Sequence, residues 1–372
     1  MQPAFLPDLT TWFARNSERM TLPREVAGLG LPEICSVLGT PVWQPARGWR
    51  RGTGSVTVEE IREGDGRVVR YETGDGAEFV ARWETGPDGD LWQTEYPVKS
   101  EADLRLAEEL AAQETIEVDG PTIELAVAAA NASGDTANAA SAAGVLAIEL
   151  PMRPFSRLLL EMIGFGDGFF ILMDAEERIR QIVARAEESY RAGIARIAEA
   201  VAAANSSHAL GADADGPAFS SAYSPDNLDA SFLTPDYFRD YLMAGYASSA
   251  SLLREAGLRL TVHVGGPVGP LLGLMTEAGI ECVAGVCGPP QGDATLLEAR
   301  AEVGPQVILW GGIPQDALLA STPEDDFNAA LEQAISDTDD RTIVGIADHV
   351  PEDALWSRIR ECAAAFTDRE NP

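Results

Sequence analysis

Hydrophobic and polar positions change period several times along this chain, most clearly in residues 258–318. There LRLTVHV precedes PLLGLMTEAGI, ECVAGVC precedes DATLLEARAEVG, and VILWGG precedes IPQDAL. Short apolar strands alternating with amphipathic helices predict consecutive βα units on a parallel sheet. The strands end in polar or small residues, among them His263, Cys287 and Gly311. In α/β proteins ligands bind at those carboxyl ends.

Upstream, the period becomes two between Ser55 and Val98. SVTVEEIRE, RVVRYETG, EFVARWETG and LWQTEYPV are separated by EGDGR, GDGAE and PDGD, which are hairpin signals. An antiparallel β-meander is predicted over residues 55–98, inserted after a first barrel strand at GTPVWQPA. Residues up to about 36 read as a helical lead-in. Helices are predicted at Ser100–Gln113 with a serine cap, at Thr122–Ser133, over Asp174–Ala204 with a break near Gly193, and at Thr234–Ala256, where TPDYF supplies a threonine cap and a first-turn proline. GVLAIEL at Gly144–Leu150 and RTIVGIADHVPED near the end read as buried strands. The whole pattern predicts one TIM-type (β/α)8 barrel domain spanning residues 1–372, with a doubly wound sheet as the other architecture of this class.

Charge narrows the partners. The formal charge is −32 with a single lysine, Lys99, so nucleic acid and anionic membranes would be repelled. Four cysteines (Cys35, Cys282, Cys287, Cys362) show no CxxC spacing, which fits a reducing compartment. No signal-peptide pattern and no membrane-length apolar run is present. A cytoplasmic monomer or homodimer acting on a small molecule is expected. A GxGxxG turn, a Walker loop and a GxSxG elbow are all missing, which removes support for nicotinamide, ATP and serine-hydrolase chemistry.

REAGLRLTVHVGGPVGPLLGLMTEAGIECV resembles the uroporphyrinogen decarboxylase superfamily, in which a strand ending in His follows a helix ending in Gly. GTPVWQPARGW, PMRPF followed by LMDAEERI, LTPDYFRDYLMAGY, VILWGGI and IADHVPEDALWSRI match further segments in order, so the resemblance covers most of the chain from Leu31 onward. It implies a (β/α)8 barrel with a cleft at the strand carboxyl ends. It also implies one of two chemistries: cofactor-free decarboxylation of a porphyrinogen, or methyl transfer between a corrinoid on a partner protein and a small acceptor. The methyltransferases carry a His-x-Cys zinc motif and a second Cys on the last strand. Here His263 matches the histidine, Gly265 stands at the first cysteine position, and the last falls near Asp348 and His349. The decarboxylases carry an arginine loop that grips substrate carboxylates, and Trp43, Gln44, Arg47, Trp49, Arg50 and Arg51 occupy that region; Arg47 and Arg51 keep the four-residue spacing but sit one residue late after the tryptophan.

Each candidate has two readings. His263 is either a core histidine bonded to a carbonyl or a site residue, and its strand-end place before Gly265–Gly266 favours the site. Asp348 and His349 either cap a turn or join His263 in acid–base work. His263, Cys287 and Asp348 together would make a mixed zinc site with an open vertex, although Cys287 alone reads as a small buried hydrophobe. Arg47, Arg50, Arg51 and Arg153 either pair with surface carboxylates or grip an anion through bidentate forks. Asp215 and Tyr223 are expected in the long loop after GADAD, lining the cleft, with turn capping as the other reading of Asp215. The function expected is corrinoid-linked methyl transfer; a porphyrinogen decarboxylase and a non-catalytic tetrapyrrole-binding protein are the alternatives.

Overall fold

The computed structural model describes residues 4–86, 91–133, 145–166, 168–209 and 218–367. Asp215 and the PDGD turn at 87–90 lie outside the described residues. The chain forms two compact units: Met1–Gly48 with Gly120–Leu150 and Ala198–Pro372, and Trp49–Asp119 with Pro151–Ile197.

The first unit holds a sheet of eight strands, all parallel: β1 (Ala4–Phe5), β2 (Trp43–Ala46), β3 (Val145–Glu149), β4 (Phe219–Leu228), β5 (Arg259–Val264), β6 (Cys282–Val286), β7 (Ile308–Pro314) and β8 (Thr342–Ala347). From β2 to β8 the strands are neighbours in chain order, and β1 pairs with β8 at the far edge. Helices fill the connections, among them Gly269–Glu277, Leu296–Val303 and Glu324–Ser336. This is the α/β barrel-like arrangement that the alternating pattern predicts. It differs in closure: β1 and β2 are not paired with each other among the described residues. Proline explains the two edges. Pro45 within β2 has no N–H to donate, Pro7 follows β1 closely, and proline in sheets is confined to edges and strand ends.

β1 is itself a correction, since those residues were expected to lead into a helix. Two residues suffice because Phe5 and Leu6 are almost fully buried, each contributing about 1.5–3 kcal/mol of hydrophobic stabilisation. Phe5 also stacks on Phe366 of the terminal helix Trp356–Thr367, centroids 5.8 Å apart. Inside the curl, Leu6, Trp43, Ala147, Cys282, Ala284 and Trp310 form one buried cluster. Trp310 meets Trp43 edge-on at 4.7 Å and donates Nε1–H to the Leu6 carbonyl at 3.0 Å. The interior is therefore packed, not hollow, at this level.

The second unit contains the meander. Thr57–Glu63, Gly66–Glu72, Glu78–Thr85 and Leu91–Glu95 pair antiparallel in sequence order, as period two requires. A second antiparallel pair, Trp49–Gly52 with Thr115–Val118, was not expected. The long helix runs unbroken from Glu176 to Ala209 through Gly193. A Cβ at Gly193 would lie 2.6 Å from the Ile116 side chain, so that glycine admits a strand and does not end a helix. Among the described residues no helix is long and apolar enough to cross a membrane.

Candidate functional site

The carboxyl ends of β3, β4, β5 and β8 in the first unit supply the candidate groups. Side chains alternate faces along a strand, so Glu149 shares the inner face with Val145 and Ala147. Tyr223 shares it with Ser221, whose hydroxyl bonds that of Thr261 on β5 at 2.7 Å. His263, two residues beyond Thr261, follows on the same face. Tyr223 is the register partner of Glu149, touches Trp43 edge-on at 5.5 Å, and has its ring 6.1 Å from that of His263.

Asp348, the residue directly after β8, joins the two histidines. Its Oδ1 lies 3.5 Å from His263 Nε2 and 3.3 Å from His349 Nδ1. Burial acts to raise the Asp348 carboxyl, but hydrogen bonds and charge from His263 and then His349 outweigh it and hold the group well below the usual carboxylate range. Its backbone has φ +108°, outside the regions open to L residues. Such a conformation costs on the order of 1–3 kcal/mol and persists where the surroundings over-determine it.

Two neighbours lean the other way. Burial pushes the Glu149 carboxyl up, partly offset by the Arg47 charge, which favours a protonated acid. Burial, reinforced by Asp8, Asp348, Glu149 and Asp226, pushes the Tyr223 hydroxyl up, so it stays a donor. The site thus combines an ionised carboxylate between imidazoles with groups that resist losing a proton. Divergent proton affinities of this kind suit acid–base work.

Sequence reasoning singled out His263, Asp348, His349, Tyr223, Trp43 and Arg47, and all lie in the first unit, Arg47 exposed just after β2. Arg50, Arg51 and Arg153 lie in the second unit and face carboxylates there. Arg50 meets Glu117 at 2.7 Å, Arg51 meets Glu114 at 3.1 Å, and buried Arg153 grips Glu187 with two bonds of 2.9 and 3.1 Å. An anion arriving at these three would have to displace a glutamate. The space above Gly265–Gly266 is taken by the chain itself: a Cβ at Gly265 would sit 1.8 Å from Asn227 Oδ1, and one at Gly266 would sit 2.4 Å from Asp229 Oδ2. Those glycines admit the end of β4 and the residue that follows it, not a ligand.

Glu149 escaped the sequence reading although it carries the signal that picked out His263, a polar residue closing an apolar strand. Asp226 also escaped. It faces away from the cleft, accepting from Ser224 Oγ at 2.7 Å and Tyr246 Oη at 2.5 Å, and so ties β4 to the helix Met243–Glu255.

The donor set does not fit the zinc site that the resemblance implies. Among the described residues no three His, Cys, Asp or Glu side chains gather closely enough to hold a metal ion. His263 and Asp348 meet, and Cys287 is a buried free thiol directly after β6.

No protein-family model and no curated protein sequence matches this chain. Among solved structures, a methyltransferase from Methanosarcina mazei is similar in fold, with a TM-score of 0.53 at 13% identity, over 78% of this chain and 76% of that one. A protein described as a vitamin-B12-independent methionine synthase from Listeria monocytogenes matches with a TM-score of 0.40 at 14% identity, over 68% of this chain and 70% of that one. A D-psicose 3-epimerase matches with a TM-score of 0.33 at 11% identity, over 68% and 92%. The first likeness supports the barrel-like fold; the other two are too loose to carry an argument.

Proposed function

We propose that this protein is a methyl-transfer enzyme in which His263, oriented by Asp348, deprotonates a small acceptor as the acceptor takes a methyl group. The observation that carries this reading is the Asp348 carboxylate set between His263 and His349 at the strand carboxyl ends. With Nε2 turned toward Asp348, its proton is held by the carboxylate, and Nδ1 is the nitrogen that accepts. The bond from acceptor to methyl carbon forms while the donor–methyl bond breaks, leaving its electron pair on the donor. The acceptor proton passes to His263. The resemblance of residues 258–318 and their flanks supports a methylated corrinoid on a partner protein as donor, a substrate here and not a resident cofactor. Tyr223 and Glu149, whose protons burial favours, add hydrogen-bond donors beside His263.

A second reading, decarboxylation of a tetrapyrrole carboxylate, is favoured by Glu149: a carboxyl biased toward its protonated form beside Arg47 suits proton delivery to the carbanion that loss of CO2 leaves. One experiment separates the readings. Purified protein is given methylcobalamin with a small thiol, and separately uroporphyrinogen, without added metal. Methylated thiol should form, and His263→Ala should slow it by about 10²–10⁴-fold, the usual worth of a positioned base. Loss of porphyrinogen carboxylates without thiol methylation selects the second reading. Porphyrin binding with neither turnover reduces the protein to a binding module.

A further inference from the structure

Asp348 needs something to hold it in its left-handed backbone, and one side chain outside the acid–base set is placed to do so. Gln291 Nε2 donates to the carbonyl of Ala347, the residue just before Asp348, at 2.7 Å. The same amide's Oε1 accepts from the backbone N–H of Gln315, just past β7, at 2.9 Å. A single side chain therefore ties the loop after β6 to the ends of both β7 and β8, where Pro314 and Ala347 are register partners. On the other side of Asp348, the Val350 N–H donates to the Asp8 carbonyl at 2.9 Å.

The loop bearing Gln291 is itself fixed. Gly292 N–H donates to the Gly288 carbonyl at 3.2 Å, and a Cβ at Gly292 would stand 2.1 Å from the Cys287 carbonyl oxygen. Only glycine closes that turn, so Gln291 leaves it in a determined direction. Glutamine suits the bridge because it offers a donor and an acceptor on one planar group. Glutamate would place a carboxylate against the Ala347 carbonyl, and alanine would reach neither partner.

We infer that Gln291 is a positioning residue: it clamps the β8 end so that Asp348 keeps φ near +108° and its carboxylate stays between His263 and His349. The inference rests on the reading of Asp348 as the group that orients His263. Its test does not use turnover, so the two can fail separately.

The decisive measurement is a stability cycle. Glycine tolerates φ near +108° without strain, so losing the clamp lets the wild-type backbone relax and offsets part of the cost, whereas Asp348→Gly has no strain to release. Gln291→Ala is made in the wild-type and D348G backgrounds, and unfolding is followed in urea. In the D348G background it should raise the unfolding equilibrium constant by about tenfold or more. In the wild-type background the rise should be less than about threefold, a coupling of the size seen for residues sharing one network. Equal effects in both backgrounds would overturn the inference. A second readout covers a Gln291→Ala chain that folds poorly: carboxyl carbon NMR on Gln291→Met, which is uncharged and of similar size. The Asp348 titration, held low in the wild type, should move up toward the ordinary carboxylate range, whereas an unmoved titration would show that Gln291 only supports the loop.

Discussion

A carboxylate flanked by two imidazoles behaves differently as pH falls than one in water, and Asp348 shows the sign. Its folded-state pKa is depressed, so its contribution to stability is fully present above the unfolded value near ~3.9. That contribution is lost as pH falls toward the lower folded value. Asp348→Asn should therefore destabilise the protein at pH 7 and cost progressively less below pH 4, measured by urea unfolding at several pH values. A penalty independent of pH would mean that the residue matters for shape and not for charge. His263→Ala removes the chief partner of that carboxylate, so it should lower stability at pH 7 by no more than Asp348→Asn does, while turnover collapses. A destabilised but fully active variant would remove His263 from the site. His263 and Asp348 were legible because each closes an apolar strand, a local pattern. The pairing of Arg50, Arg51 and Arg153 with Glu117, Glu114 and Glu187 was not, because charge partners that far apart in sequence are chosen by the fold.

At the scale of elements, the hydrophobic period identified the βα units and the meander, and its failures have physical causes. Two-residue β1 is too short for any period to show, and it exists because its partner β8 and the buried Phe5 hold it. Gly193 reads as a helix break because glycine costs about 1 kcal/mol in a helix. Here that cost is accepted so that Ile116 can approach the helix axis. The two effects oppose each other in Gly193→Ala. Helix propensity would gain about 1 kcal/mol, while a Cβ at 2.6 Å from Ile116 overpacks a buried contact, typically at about 1–3 kcal/mol. Ile116 is buried and belongs to a paired strand, so it has little room to yield. The packing term should win, giving net destabilisation of up to about 2 kcal/mol. If denaturant unfolding shows Gly193→Ala more stable than wild type, the glycine is not there for Ile116. Gly193→Ala with Ile116→Val should recover part of the loss, because the shortened side chain makes room for the added methyl.

The whole molecule carries two features that both weaken it in alkali, and they can be told apart. With a formal charge of −32, further deprotonation adds self-repulsion, which salt screens over about 10 Å at 0.1 M and about 3 Å at 1 M. The buried thiols act through linkage instead. Burial pushes Cys35 up to about 11 and Cys282, Cys287 and Cys362 up to about 12, against about 8.5 in an unfolded chain. Between those values the unfolded state holds fewer protons than the folded state, so stability falls as pH rises. Each thiol contributes up to about 1.4 kcal/mol per pH unit. Molar salt should therefore flatten only part of the alkaline limb above pH 8.5. Replacing all four cysteines by alanine should flatten the remainder, apart from what buried tyrosines such as Tyr223 add at higher pH. The same burial makes the native thiols inert at pH 8: an aromatic disulfide reagent should label them at the rate of unfolding, and quickly only in urea. A thiol that reacts at once in the folded protein would show a thiolate where the structure places none, and Cys287, beside the site, would be the first to examine.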